Sequence, residues 1–230
     1  MSHQGSSTLA LLDGSLILWG LEAYPEFVTD ELLDEGFLSY LEEMRKLNKD
    51  KQLGLASYIS FPRSTDVVNV LRVALCPHDP LDTDRHCKDC EKRDCDMVAG
   101  VRDRELFSNI LGSGERSALF ISQSSIVRKH YGMHQVYFFY LRVDDEIARV
   151  EIPQWVAMDE TLLNLTHALV LDQCQRGNGY PVALSEAHEK AVVTGADREN
   201  FWQLVESSLV DEHLPTLGSA KSQSKRTRWI

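Results

Sequence analysis

Asp13 stands between two apolar runs, Leu9-Ala10-Leu11-Leu12 and Leu16-Ile17-Leu18-Trp19, with only Gly14 and Ser15 separating it from the second. A carboxylate at the end of a buried strand is costly unless something compensates it, and a divalent cation does so through oxygen ligation. Asp13 is therefore a candidate metal ligand. An Asp-Gly pair between apolar runs is equally a hairpin signal, and this segment alone leaves both readings open.

Further along, Pro181 to Val193 has helical character, with His188 between Glu186 and Glu189. Tyr180 precedes it by eight residues, about two helical turns, so both side chains can face one cleft. The plain alternatives are a solvated histidine and an aromatic cap over the core. Ser113-Gly-Glu-Arg116-Ser and Ser122-Gln-Ser-Ser-Ile-Val-Arg128-Lys129 set hydroxyls and cations near strand ends, where they suit phosphate oxygens or merely a solvated loop. Arg149, Glu151 and Pro153 share one face of a strand, as either a structural ion pair or an acid beside a cation.

Four of the five cysteines, Cys76, Cys87, Cys90 and Cys95, fall in one short segment that includes a tight Cys-x2-Cys pair and has His78 and His86 nearby. Such clustering in a chain without export signals suits metal better than disulfides. Tetrahedral zinc fits four thiolates, an iron-sulfur cluster comes second, and unliganded thiols are the third reading. A structural staple on an insertion at 76–96 is the expected role.

The elements that must position these residues can be read from the pattern. Residues 8–19 predict a strand, 26–48 a helix by apolar spacing, and 53–61 a strand stopped by Pro62. Ser64 or Thr65 is expected to cap a short helix. A helix over 103–111, a strand over 118–121, a hairpin of 135–143 and 146–152 around Asp144-Asp145, and helices near 159–176, 182–193 and 197–210 follow. The order predicts an α/β protein, a mixed sheet flanked by helices. Composition is that of an ordinary folded domain, 43% hydrophobic and 26% charged, and no apolar run approaches the about 20 residues of a membrane span. The N-terminus lacks a signal-peptide pattern, which predicts a cytoplasmic protein. A net charge of −11 argues against a surface coated for nucleic acid, although Lys221, Lys225, Arg226 and Arg228 crowd the tail, 213–230.

Several blocks together resemble the NurA nuclease family: Asp13-Gly-Ser-Leu-Ile; Asp103-Arg-Glu-Leu-Phe with Gly114-Glu-Arg-Ser-Ala-Leu-Phe; Phe138-Phe-Tyr-Leu with Ile147-Ala-Arg-Val-Glu-Ile-Pro-Gln-Trp-Val; and Gly179-Tyr-Pro-Val-Ala-Leu with Ala187-His-Glu. They stand in the family's order over most of the chain. The resemblance implies an RNase H-like fold over 1–212, manganese- or magnesium-dependent cleavage of DNA, a homodimer, and a HerA-type hexameric ATPase as partner in end resection. It makes Asp13 similar to the family's second active-site aspartate, a metal ligand, and Tyr180 and His188 similar to its C-terminal tyrosine and histidine, with His188 also at the metal. Arg116, Ser122, Arg128 and Lys225 are the expected DNA contacts. The family carries an earlier Asp-Gly-Ser strand and a glutamate upstream of the motif matched by Asp13, and only twelve residues precede Asp13 here. The chain is thus expected to correspond to the C-terminal portion of such a protein and to be inactive alone, with a non-catalytic module that binds DNA or the translocase as the alternative.

Overall fold

The computed structural model describes residues 7–48, 53–78, 82–192 and 194–212. The chain divides into two compact units, 1–186 and 187–230.

The first unit is built on a five-stranded mixed sheet of order β1-β2-β5-β4-β3. β1 (Thr8–Asp13) is an edge strand and pairs in parallel with β2 (Leu53–Ile59). Between them runs one long helical stretch: α1 (Glu26–Thr29), a π-helical segment (Asp30–Phe37) and α2 (Leu38–Asn48). After β2 come α3 (Asp66–Ala74), α4 (Thr83–His86) and α5 (Asp103–Ser108), then the two-residue β3 (Phe120–Ile121) and α6 (Ser125–His130). β4 (Val136–Val143) and β5 (Glu146–Pro153) form the expected hairpin around Asp144-Asp145, with Asp144 at φ +49. α7 (Gln154–Ala157), α8 (Glu160–Arg176) and α9 (Val182–Ala191) follow, and α10 (Gly195–Asp211) belongs to the second unit. The α/β class and the mixed sheet flanked by helices agree with the sequence reading.

β5 sits in the middle of the sheet, antiparallel to both β2 and β4, and its residues from Ile147 to Pro153 are buried. Alternation along the strands gives two apolar faces. Ala56, Tyr58, Phe139, Leu141, Val150 and Ile152 pack beneath α8 through Leu162, Leu163 and Val170. On the other face Leu55 and Val136 pack beneath Leu33, Leu38 and Leu41 of the long helical stretch and Ile126 and Val127 of α6. Each fully buried side chain of this kind contributes about 1.5–3 kcal/mol, so both layers are needed to hold the sheet.

Three local expectations are corrected. The strand expected over 8–19 stops at Asp13, because Gly14 takes φ +94 and turns the chain; Leu16 and Ile17 then plug the second core at 0% and 2% exposure. The helix expected over 103–111 ends at Ser108, where the Arg142 guanidinium donates to the Ser108 and Leu111 carbonyls. Neither Ser64 nor Thr65 caps α3 with its side chain; the buried Asp103, 35 residues on, accepts from Val68 N at 2.9 Å and from Val67 N at 3.2 Å. Among the described residues no helix is long and apolar enough to cross a membrane.

In the second unit, α10 starts from a reciprocal cap: Asp197 N donates to Thr194 Oγ1 at 3.2 Å, and Thr194 N donates to Asp197 Oδ2 at 2.9 Å. None of its described residues is buried. Lys225 and the rest of the tail over 213–230 lie outside the described residues.

Candidate functional site

Parallel pairing sets Asp13 beside Tyr58 of β2, and alternation puts it on the Leu9 and Leu11 face, the one beneath α8. The turn at Gly14 leaves its carboxylate exposed at the strand end. A left-handed φ of this kind is open to glycine and strained for a residue with a Cβ. Tyr180, in the connection between α8 and α9, reaches across 167 residues to donate its hydroxyl to Asp13 Oδ1 at 3.0 Å.

That connection folds back tightly on the end of α8. A Cβ at Gly177 would lie 1.9 Å from the Tyr180 carbonyl oxygen, so the approach requires glycine. The Tyr180 ring meets Tyr58 edge-on, with centroids 5.6 Å apart and planes at 82°. Burial, then the hydrogen bond to Asp13 and its charge, push the Tyr180 hydroxyl up to about 12. It therefore remains a donor at neutral pH. Among the described residues, this is the one hydrogen bond the Asp13 side chain receives.

Among the described residues, four acids that could join Asp13, namely Glu22, Asp66, Glu115 and Glu151, are engaged elsewhere. Glu151, 1% exposed, accepts at Oε2 from Ser15 Oγ (2.8 Å) and Leu16 N (2.9 Å), and at Oε1 from Arg149 Nε (2.9 Å). Arg149 also donates to Asp66 Oδ2 at 2.5 Å and lies over the Phe138 ring at 3.7 Å. Burial pulls the Arg149 guanidinium down, but Glu151 and its other anionic neighbours outweigh burial and hold it above its ordinary value. The Arg149–Glu151 pair is thus a buried structural network. Glu22 caps α6 through Ile126 N at 2.9 Å and through Ser125 Oγ, and Glu115 accepts from Gly112 N at 2.7 Å.

His188 lies exposed on α9, in the second unit. Arg116 is half-buried and donates to the Ser117 carbonyl at 3.2 Å, whereas Arg128 is exposed. Ser122 is buried, its hydroxyl accepting from Ser124 N at 3.4 Å. All four clustered cysteines are free thiols, Cys87 exposed and Cys76, Cys90 and Cys95 half-buried. The described residues gather three ligand-type side chains within mutual reach at one place, Asp30, Asp34 and His130, which includes neither Asp13 nor any cysteine. No spacing in the sequence joins those three.

As it stands, the Asp13–Tyr180 pair offers one carboxylate with free oxygen lone pairs and one neutral phenol donor, at an exposed strand end. Hard divalent cations take six or more oxygen ligands, or keep several waters, so the pair contributes to such a site without completing it.

The sequence model of the NurA domain family matches residues 1–193. The crystal structure of the NurA nuclease from Sulfolobus solfataricus is similar at 18% identity and a TM-score of 0.41, over 88% of this chain and 60% of that one. The chain thus spans 60% of the length of this solved relative. No curated protein matches it.

Proposed function

This chain belongs to the NurA domain family, and from that premise we propose that it is a manganese- or magnesium-dependent DNA nuclease in which Asp13 is a metal ligand. The observation that carries the proposal is the exposed Asp13 carboxylate at the end of β1, oriented by the Tyr180 hydroxyl at 3.0 Å. In hydrolysis of a phosphodiester, carboxylates hold the cations, and the cations supply an activated water and neutralise the leaving oxygen. Asp13 holds a cation through its open oxygen. Tyr180 keeps its proton and, by donating its one O–H to Asp13, fixes the rotamer of that carboxylate. The family resemblance offers His188 as a nitrogen ligand or proton carrier. Arg116 and Arg128 bind the backbone phosphates, with Lys225 in the tail as a further cation. Working as a homodimer with a HerA-type hexameric ATPase, in the cytoplasm and at resected DNA ends, accords with the family to which the chain belongs.

With Glu22, Asp66, Glu115 and Glu151 engaged elsewhere, we take the further carboxylates of the site to be those that the family carries upstream of the motif matched by Asp13. β1 is an edge strand, with backbone groups able to pair with an incoming strand. The same observation supports the second reading, a non-catalytic module that binds DNA or the translocase. A digestion assay on plasmid or oligonucleotide with manganese separates the two. The chain is assayed alone and mixed with a polypeptide carrying the family's upstream Asp-Gly-Ser strand. Cleavage that appears only in the mixture and vanishes with Asp13→Asn supports the enzyme. No cleavage in either, with DNA still bound, supports the module; Asp13-independent cleavage overturns the assignment of Asp13.

A further inference from the structure

We propose that Asp30, Asp34 and His130 form a binding site for a transition-metal dication of the zinc class, on the opposite face of the sheet from Asp13 and independent of the nuclease reading. One ligand atom from each of the three side chains lies within 4.8 Å of the other two. The two aspartates come from the π-helical segment and the histidine from the last residue of α6, so the site ties together two elements about a hundred residues apart in sequence.

The backbone prepares this arrangement. In an α-helix, residues i and i+4 are rotated by about 40° from one another. The wider π turn brings them closer to one line, and such turns are rare and frequently sit at functional sites. Leu33, 0% exposed, anchors the segment in the second core, and Ile126 and Val127 do the same for α6. Glu22 fixes the far end of α6 by capping it. Both halves are therefore held before any ion arrives.

A simple His–Asp pair explains part of the geometry, since His130 Nδ1 lies 3.0 Å from Asp34 Oδ2. It does not explain Asp30, a second carboxylate brought to the same point. Two like charges four residues apart on a helix repel, and a cation between them removes the repulsion. The nearby Lys129 does not serve, because its ammonium faces Glu26 at 3.6 Å. An imidazole with two carboxylates suits zinc better than magnesium, which prefers oxygen and retained water. Three protein ligands leave a fourth tetrahedral position for water. His130 also lines a cleft of about 570 Å³ with Glu22, Glu26, Thr29 and Lys129.

The test is a calorimetric titration of the full chain with zinc chloride, with magnesium as control. It is run on the native sequence and on a Cys87→Ser/Cys90→Ser variant, so that thiolate-bound zinc is counted separately. Expected is one zinc per chain that survives the cysteine changes and is weakened more than about tenfold by His130→Gln and by Asp34→Asn. Asp30→Asn, at an exposed position, weakens it too, which keeps the result readable if either other variant melts early without metal. Asp13→Asn leaves it unchanged. Absence of cysteine-independent zinc, or zinc that persists through all three aspartate and histidine variants, overturns the proposal.

Discussion

Two carboxylates define the molecule's two characters. Glu151 lies at the centre of the sheet with its oxygens filled by Ser15, Leu16 and Arg149; Asp13 ends the edge strand with a single donor, Tyr180. Both sit at strand positions flanked by apolar residues, and sequence alone gives them similar claims on chemistry. The difference is saturation. A carboxylate whose lone pairs are all taken by protein donors holds the fold, whereas one with an open oxygen at an exposed edge has capacity left for a cation or its water.

Breaking the saturated side should produce the largest loss. Arg149→Ala leaves Glu151 buried and unpaired and should cost about 3–5 kcal/mol, read as a shift of the urea midpoint. Asp103→Ala removes the carboxylate that receives Val67 N, Val68 N and the Tyr140 hydroxyl (2.6 Å), and should cost about 2–3 kcal/mol in the same assay. An unchanged midpoint in either variant would mean that the network is not structural.

On the open side, Tyr180→Phe keeps the ring against Tyr58 and removes one hydrogen bond to a charged group. Such bonds contribute about 1.5–3 kcal/mol, so cleavage should fall about tenfold or more with little change in melting temperature. A large drop in melting temperature would move Tyr180 to the structural side of the comparison.

The smallest effect concerns pH. Burial holds the imidazoles of His134 and His167 below their ordinary value of 6.5. As pH falls through about 6.5 the unfolded histidines take up protons while the folded ones stay neutral, so the stabilisation is complete above that pH and is lost progressively below it. Melting temperature should decline between pH 7 and pH 5, and His167→Gln should flatten the decline. A rise over that interval contradicts the sign.

What the sequence made legible was local. The β4–β5 hairpin is signalled by two apolar strands around Asp144-Asp145, and the long helical stretch by its apolar spacing. Asp13 and Tyr180 were separately visible as candidates. Their contact spans 167 residues, and periodicity carries no information at that range. The same limit hid two of the three partners of Glu151, Ser15 and Leu16, 136 and 135 residues away, although its pair with Arg149 was open to view as one of two readings, and it hid the capping of α3 by Asp103 rather than by the adjacent Ser64 or Thr65. Leu16 and Ile17 misled for a related reason: an apolar run reports burial, and only the φ of Gly14 decides that it plugs a core instead of extending a strand. The π winding over Asp30–Phe37 leaves no mark in a pattern read at helical spacing.

The central claim is that Asp13 is open for chemistry and Glu151 is closed by structure. It is tested most directly by Asp13→Asn and Glu151→Gln side by side, in manganese-dependent digestion with the upstream Asp-Gly-Ser polypeptide present and in thermal melting. Asp13→Asn should lose cleavage by at least about a hundredfold and melt as the native chain does, while Glu151→Gln should melt at a clearly lower temperature. Cleavage retained in Asp13→Asn, or Glu151→Gln melting as the native chain does, would contradict it.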